Sequence, residues 1–302
     1  MTPDDYRCGY IALLGRPNVG KSTLLNRLVG QKLSITSRRP QTTRHRILGI
    51  KTLPGAQLVY VDTPGLHHYS GRAMNRLMNR TTSQALQDVD VVVFLVEGLR
   101  WTSDDDLVLA LLERVDCPVI LAVNKVDLIN DKQTLLPGLQ ALSRKRGFDH
   151  IVPLSARKGD NVAELEACVQ ALLPVGAPFF PEDQITDRSE RFLVAERIRE
   201  KLFRTLAREL PYGLSVEVER FRRERHSIHI HALIWVNRPS QKSIVIGKQG
   251  AELREVGRQA RVEIEKLLDS KVNLKLWVKV KEGWADDERA LKSLGYTDET
   301  QP

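Results

Sequence analysis

Gly15-Arg16-Pro17-Asn18-Val19-Gly20-Lys21-Ser22 follows the apolar run Tyr10-Ile11-Ala12-Leu13-Leu14 and precedes Thr23-Leu24-Leu25-Asn26-Arg27-Leu28, an amphipathic stretch. A buried strand, a G-x-x-x-x-G-K-S turn and a helix in that order make a phosphate-binding loop. Backbone N–H groups and the positive end of the helix then converge on phosphate oxygens. Gly15 and Gly20 permit close backbone approach, Lys21 can reach the outer phosphates, and the Ser22 hydroxyl is a candidate magnesium ligand. Arg16, Pro17, Asn18 and Val19 complete the expected contacts of this loop.

A second motif chooses the base. Asn124-Lys125-Val126-Asp127 follows the apolar run Pro118–Val123, which puts it at the C-terminal end of a strand, where open α/β sheets bind ligands. The Asp127 carboxylate can accept from the N1–H and 2-amino group of guanine, donors that adenine lacks. Ser155-Ala156, delivered by the run Ile151–Leu154, is expected to offer backbone N–H groups to the guanine O6.

Between these lie the groups for chemistry. Asp62-Thr63-Pro64-Gly65 follows a third strand-like run, Leu58–Val61; Asp62 is expected to hold magnesium through water and the Gly65 N–H to meet the γ-phosphate. Gln41-Thr42-Thr43-Arg44-His45 supplies a threonine to close over the metal; either threonine can, and Thr43 is the choice. Ser22, Thr43 and Asp62 are thus the candidate metal set, and Lys21, Thr43 and Gly65 the candidate catalytic groups. Leu66 stands where many GTPases place a water-orienting glutamine, so slow intrinsic hydrolysis is expected.

The chain has 302 residues, 42% hydrophobic and 28% charged, which suits about two globular domains. No run approaches the roughly 18 continuous apolar residues of a membrane span, and Met1-Thr2-Pro3-Asp4-Asp5 is no signal peptide. Cys8, Cys117 and Cys168 are few and widely spaced, which argues for a reducing compartment and against a disulfide framework or zinc site. A formal charge of +8 points toward an anionic partner.

Alternating strand-like and helical runs continue to Leu173, giving βα units; Ile47–Leu53, turned by Pro54-Gly55 into the next run, reads as an antiparallel edge strand. Pro174–Pro181 then carries three prolines and a glycine without periodicity, the mark of a linker. The expected division is a nucleotide domain over 1–173, a linker over 174–188 and a second domain over 189–302. That domain reads as a helix over Arg191–Glu209, strands over Leu214–Phe221 and Ser227–Val236, a helix over Ala251–Leu268 and a strand over Val272–Val280. Ile246-Gly247-Lys248-Gln249-Gly250 before that last helix resembles the loop of the KH module, which packs backbone against RNA phosphates beside a groove for about four unpaired nucleotides. The element order is that of type II. Lys242, Lys248, Arg254 and Arg258 cluster around the loop, and Arg220, Arg222, Arg223 and Arg225 form another basic group. His229 and His231 alternate on one strand without a third metal ligand nearby, and Trp235 and Trp277 are expected to pack rather than stack on bases.

A phosphate-loop GTPase carrying Gln41-Thr42-Thr43-Arg44-His45-Arg46 and a type II KH domain resembles the Era-like family of bacterial ribosome-associated GTPases. Pro181–Ser189 and the tail Gly283–Arg289 add matches specific to that family. The resemblance implies a mixed, mostly parallel six-stranded sheet, GTP/GDP and magnesium as ligands, and binding of the 3′ end of 16S ribosomal RNA during assembly and maturation of the 30S subunit. It further implies a cytoplasmic protein with peripheral contact to the inner membrane; a monomer is expected. Asn18 matches an asparagine that ligates potassium in relatives, or is a plain turn residue. Ile246, Gly247, Lys248, Gln249, Gly250 and Arg254 are the expected RNA contacts. Two other readings are an RNA binder with incidental hydrolysis and a protein- or membrane-docking module.

Overall fold

In the computed structural model, which describes residues 5–37, 42–65, 73–206, 213–287 and 291, the chain divides into two units, one of residues 1–70 and 77–187 and one of residues 71–76 and 188–302. The first unit begins β1 (Arg7–Leu14), α1 (Lys21–Val29), β2 (Ile47–Leu53), β3 (Ala56–Asp62) and α2 (Ala73–Gln84). It continues β4 (Val91–Glu97), α3 (Ser103–Leu112), β5 (Val119–Asn124), α4 (Leu135–Ser143), β6 (His150–Pro153) and α5 (Val162–Leu172). The six strands form one sheet in the order β2-β3-β1-β4-β5-β6, parallel except for β2, which pairs antiparallel with β3 at the edge. Near-continuous apolar runs such as Val91–Val96 are buried on both faces, as strands of a covered parallel sheet must be. The reversal of strand order between β1 and β4 leaves a crevice at their C-terminal ends, and the loop after β1 opens there.

The stretch expected to be a linker is instead strapped along this unit. Cys8 N–H donates to the Pro174 carbonyl (3.1 Å) and Gly176 N–H to that of Tyr6 (2.8 Å). The buried Gln57 Oε1 accepts from Phe179 N–H (2.8 Å) and Phe180 N–H (2.9 Å). Along β2, Ile50 N–H donates to the Ile185 carbonyl (2.9 Å) and Leu48 N–H to Asp187 Oδ1 (3.2 Å). The cause is the edge strand: its outward N–H groups need acceptors, and the strap supplies them. Prolines and glycines excluded a regular element here but not an ordered one.

The second unit runs α6 (Glu190–Thr205), β7 (Leu214–Arg223), β8 (Ile228–Val236), α7 (Pro239–Ile246), α8 (Ala251–Leu268) and β9 (Val272–Val280). Ser189 caps α6 by accepting from Phe192 N–H at 3.3 Å; the end expected for this helix, 207–209, lies outside the described residues. β7 and β8 pair antiparallel, while β8 and β9 pair parallel, which requires the α7–α8 crossover. Even-numbered residues of β8 and β9 meet the helices in one apolar core with Val194, Ile198, Val256, Ala260 and Ile264. The apolar segment Ser243–Ile246 proves to be the last turn of α7, a helix opened by Pro239 at its first position. Trp277, expected to pack, is 43% exposed. Among the described residues no helix is long and apolar enough to cross a membrane.

Candidate functional site

The loop after β1 is locked from inside. Lys21 is buried, and its Nζ donates to the carbonyls of Gly15 (2.8 Å) and Arg16 (3.1 Å). Burial pushes the Lys21 ammonium down to about 8 against the pull of Asp62, so an arriving phosphate would find a cation short of counter-charge. Gly20 has φ 112° and stands where a Cβ would lie 2.2 Å from Asn124 Nδ2, so no other residue fits this turn. Asn18 is exposed with φ 65°, a left-handed backbone that asparagine tolerates.

Beside Lys21 the candidate metal oxygens gather. Ser22 Oγ is 2.7 Å from Thr43 Oγ1 and donates to Asp62 Oδ2 at 2.8 Å. Ser34 Oγ, fully buried, also donates to Asp62 Oδ2 at 2.8 Å. Asp62 Oδ1 is buried without any hydrogen-bond partner, a large cost unless a donor or cation arrives. Burial raises the Asp62 pKa, opposed by Lys21 and by the hydroxyls of Ser34, Ser22 and Thr43. The Ser22 and Thr43 hydroxyls and the Asp62 carboxylate, one of its two oxygens unsatisfied, are a hard, all-oxygen donor set that suits magnesium. Thr63 Oγ1 donates to the Leu13 carbonyl (3.0 Å) and so ties the end of β3 to β1, while Gly65 lies against Pro17. Leu66 falls outside the described residues.

Asn124 joins the phosphate and base halves. Its Nδ2 donates to the Val19 carbonyl at 2.7 Å, and its Oδ1 accepts from Ala156 N–H at 2.9 Å. Lys125 has φ 65°, which starts the turn that carries Val126 and Asp127, both partly exposed at the strand end. Ser155 and Ala156 reach the site, where their N–H groups have partners within the chain. Ser155 N–H donates to the Asp160 carbonyl (3.0 Å), and a base would compete with Asn124 for the Ala156 N–H.

Three residues of the site lie outside its nucleotide-binding motifs. Ser34 is one. Glu97, at the end of β4, pairs with Arg16 Nη2 (3.2 Å) and with Lys125 Nζ (3.0 Å), bridging the two loops. Lys125 and Arg16 hold its carboxyl below the usual range although burial alone would raise it. Asp105 caps α3 by accepting from Thr102 N–H (2.9 Å), and it also accepts from Arg16 Nε at 3.3 Å.

In the second unit the glycine-framed loop links α7 to α8. Gly247 has φ 73° and ψ 177°, and a Cβ there would meet Glu252 Cγ at 2.5 Å. Ile246 packs on the core, while Lys248, Gln249 and Arg254 are exposed, as is Lys242. Ile244 is 48% exposed beside them. Arg258 is drawn away: Glu255 Oε1 accepts from its Nη2 at 2.7 Å, and the Arg258 guanidinium holds the Glu255 carboxyl at about 2. Among the described residues no group of three or more histidine, cysteine or acidic side chains could hold a metal, His229 and His231 included.

Comparison with known proteins places this geometry. Residues 10–125 match a family model described as a 50S ribosome-binding GTPase, and residues 209–285 match a KH domain. GTPase Era of Marinobacter nauticus is 59% identical over 97% of this chain and 96% of its own length. The chain belongs to the Era family of GTPases. GTPase Era of Pseudomonas aeruginosa is 57% identical over 98% of this chain and 97% of its own length. Era of Aquifex aeolicus, solved as a variant bound to GDP and AlF4−, shares 37% identity at a TM-score of 0.92, covering 96% of this chain and 99% of its own. An Era solved with MgGDPNP and nucleotides 1506–1542 of 16S ribosomal RNA matches with the same identity, coverage and TM-score. The fold is therefore that of the Era family, a P-loop GTPase unit followed by a KH unit.

Proposed function

We propose that this GTPase is a GTP-hydrolysing switch that holds the 3′ end of small-subunit ribosomal RNA on its second unit during 30S assembly and maturation. One observation carries the reading: a buried oxygen set with an orphaned Asp62 Oδ1 and an exposed Gly247–Gly250 loop occur in one chain. That chain aligns over 96% of its length with an Era holding MgGDPNP and 16S rRNA together. The 16S rRNA bound to that relative favours the small subunit over the large one for which the matching family model is named.

The roles follow from the geometry. Ser22, Thr43 and Asp62 would hold magnesium, which when bound neutralises charge on the phosphates. Lys21 turns from the loop carbonyls toward the outer phosphates, the Gly65 N–H meets the γ-phosphate, and residues 15–22 wrap the rest. Asp127 reads guanine, with Asn124, Lys125, Val126, Ser155 and Ala156 forming its frame. No glutamine follows Gly65, so intrinsic turnover is slow. In the second unit Ile246, the loop and Arg254 take unpaired RNA. The working division is a nucleotide domain over 1–173, a linker over 174–188 and an RNA-binding domain over 189–302.

Three finer assignments belong to the same reading. Potassium beside Asn18 would add positive charge near the phosphates; its left-handed backbone accounts for the asparagine without a cation, so potassium-stimulated turnover lost in Asn18→Ala is the test. Peripheral contact with the inner membrane rests on the family resemblance alone, and retention on anionic vesicles tests it. A monomer is tested by sedimentation. The main experiment is recovery of the protein from cell lysate at moderate salt with sequencing of the bound RNA. Enrichment of the 16S 3′ end supports the reading, and RNA with no such enrichment overturns it.

A further inference from the structure

The three-stranded sheet has a second face, turned away from α6, α7 and α8. Even-numbered residues of β8 and β9 enter the core, so odd-numbered ones point outward. The register sets them in rows. Lys275 lies level with His231 and Arg220, Trp277 with Leu233 and Glu217, and Lys279 with Trp235 and Ser215. Arg220, Lys275, Trp277 and Lys279 are exposed. At about 3.3 Å rise per residue, Lys275, Trp277 and Lys279 stand roughly 6.6 Å apart along one strand, an aromatic ring between two cations.

The face is built rather than incidental. His231 meets the Trp277 ring edge-on, with centroids 5.1 Å apart, and steadies it. Trp235 Nε1 donates to Glu217 Oε2 at 2.9 Å, and Lys279 and Lys281 each sit 5.8 Å from the Trp235 ring. Glu219 approaches Lys279 only at 3.9 Å, with both side chains about half exposed, so that cation keeps most of its field.

An exposed aromatic flanked by cations on a sheet is the arrangement that stacks an unpaired base and tracks its phosphates. A lipid surface fits less well: Leu233 on this face is 1% exposed, and among the described residues of the face Trp277 is the one exposed large apolar group. We infer that this outer sheet face is a second single-stranded RNA surface. A base stacks on Trp277, and Arg220, Lys275 and Lys279 take phosphates. The inference shares its partner, RNA, with the proposed function but does not depend on the Gly247–Gly250 loop.

The test uses the full chain and two fluorescent RNAs from the 16S 3′ end. One has about four nucleotides and fills only a KH groove; the other is a ~16-nucleotide single strand. Trp277→Ala and Lys275→Glu should each weaken the longer RNA by about 10-fold and leave the shorter one unchanged, and Trp277→Phe should recover most of the loss. Tryptophan quenching by the longer RNA should shrink in Trp277→Phe. Wild-type affinity for the longer RNA in both variants would overturn the inference, as would loss of binding to anionic vesicles with RNA binding intact. Lys248→Asp with Gln249→Asp reports separately: if that pair leaves the shorter RNA untouched, the groove assignment fails, whatever Trp277 does.

Discussion

The two units place their working groups on opposite sides of the water boundary. In the first, Lys21, Asp62, Thr63 and Asn124 are each 6% exposed or less, and almost every polar atom is held by a named partner. In the second, Lys248, Gln249 and Arg254 stand in solvent on a loop fixed by glycine geometry. The difference follows from the ligands. Phosphoryl transfer gains from preorganised charge in a dry site. A long RNA must be met along a surface, and its affinity comes mainly from accessible cations.

Breaking the buried side should cost most. Lys21→Ala removes the cation aimed at the phosphates and should slow hydrolysis by at least about 10²-fold, read as phosphate release. Asp127→Asn should weaken GTP by about 2–3 kcal/mol and move preference toward xanthine nucleotides, measured by calorimetry; equal GTP affinity in both proteins would remove Asp127 from the base site. Gln57→Ala leaves the Phe179 and Phe180 N–H groups without their acceptor, and thermal or denaturant unfolding should register a loss of about 1–3 kcal/mol. Glu97→Gln breaks the bridge between Arg16 and Lys125. Glu97 is 35% exposed, so the expected effect is small, under about 1 kcal/mol, visible as faster nucleotide release rather than altered chemistry.

Legibility in sequence followed the same divide between local and distant causes. The helix over Ala251–Leu268 and the strand over Val272–Val280 were readable to the residue, because period and flanking turns are local. The phosphate loop and the Asn124–Asp127 turn were readable because their chemistry demands fixed spacings. Ser34 and Glu97 were not, since each meets the site across the fold from a stretch with no motif. The strap over 174–187 was hidden for a related reason: its order comes from acceptors supplied to β2 and β3, not from any pattern of its own. Trp277 shows the limit of alternation, which tells faces apart but not which face is covered.

Nucleotide chemistry and RNA binding thus fall to separate units built on these two principles. Replacing Lys248 and Gln249 by aspartate tests this division most directly, with affinity for a 16S 3′ RNA measured against salt alongside hydrolysis without RNA. The expected result is weaker RNA binding, a log–log salt slope flatter by roughly 0.7 for each phosphate the loop no longer neutralises, and unchanged hydrolysis. Wild-type RNA affinity in that double variant, or a fall in its RNA-free hydrolysis, would contradict it.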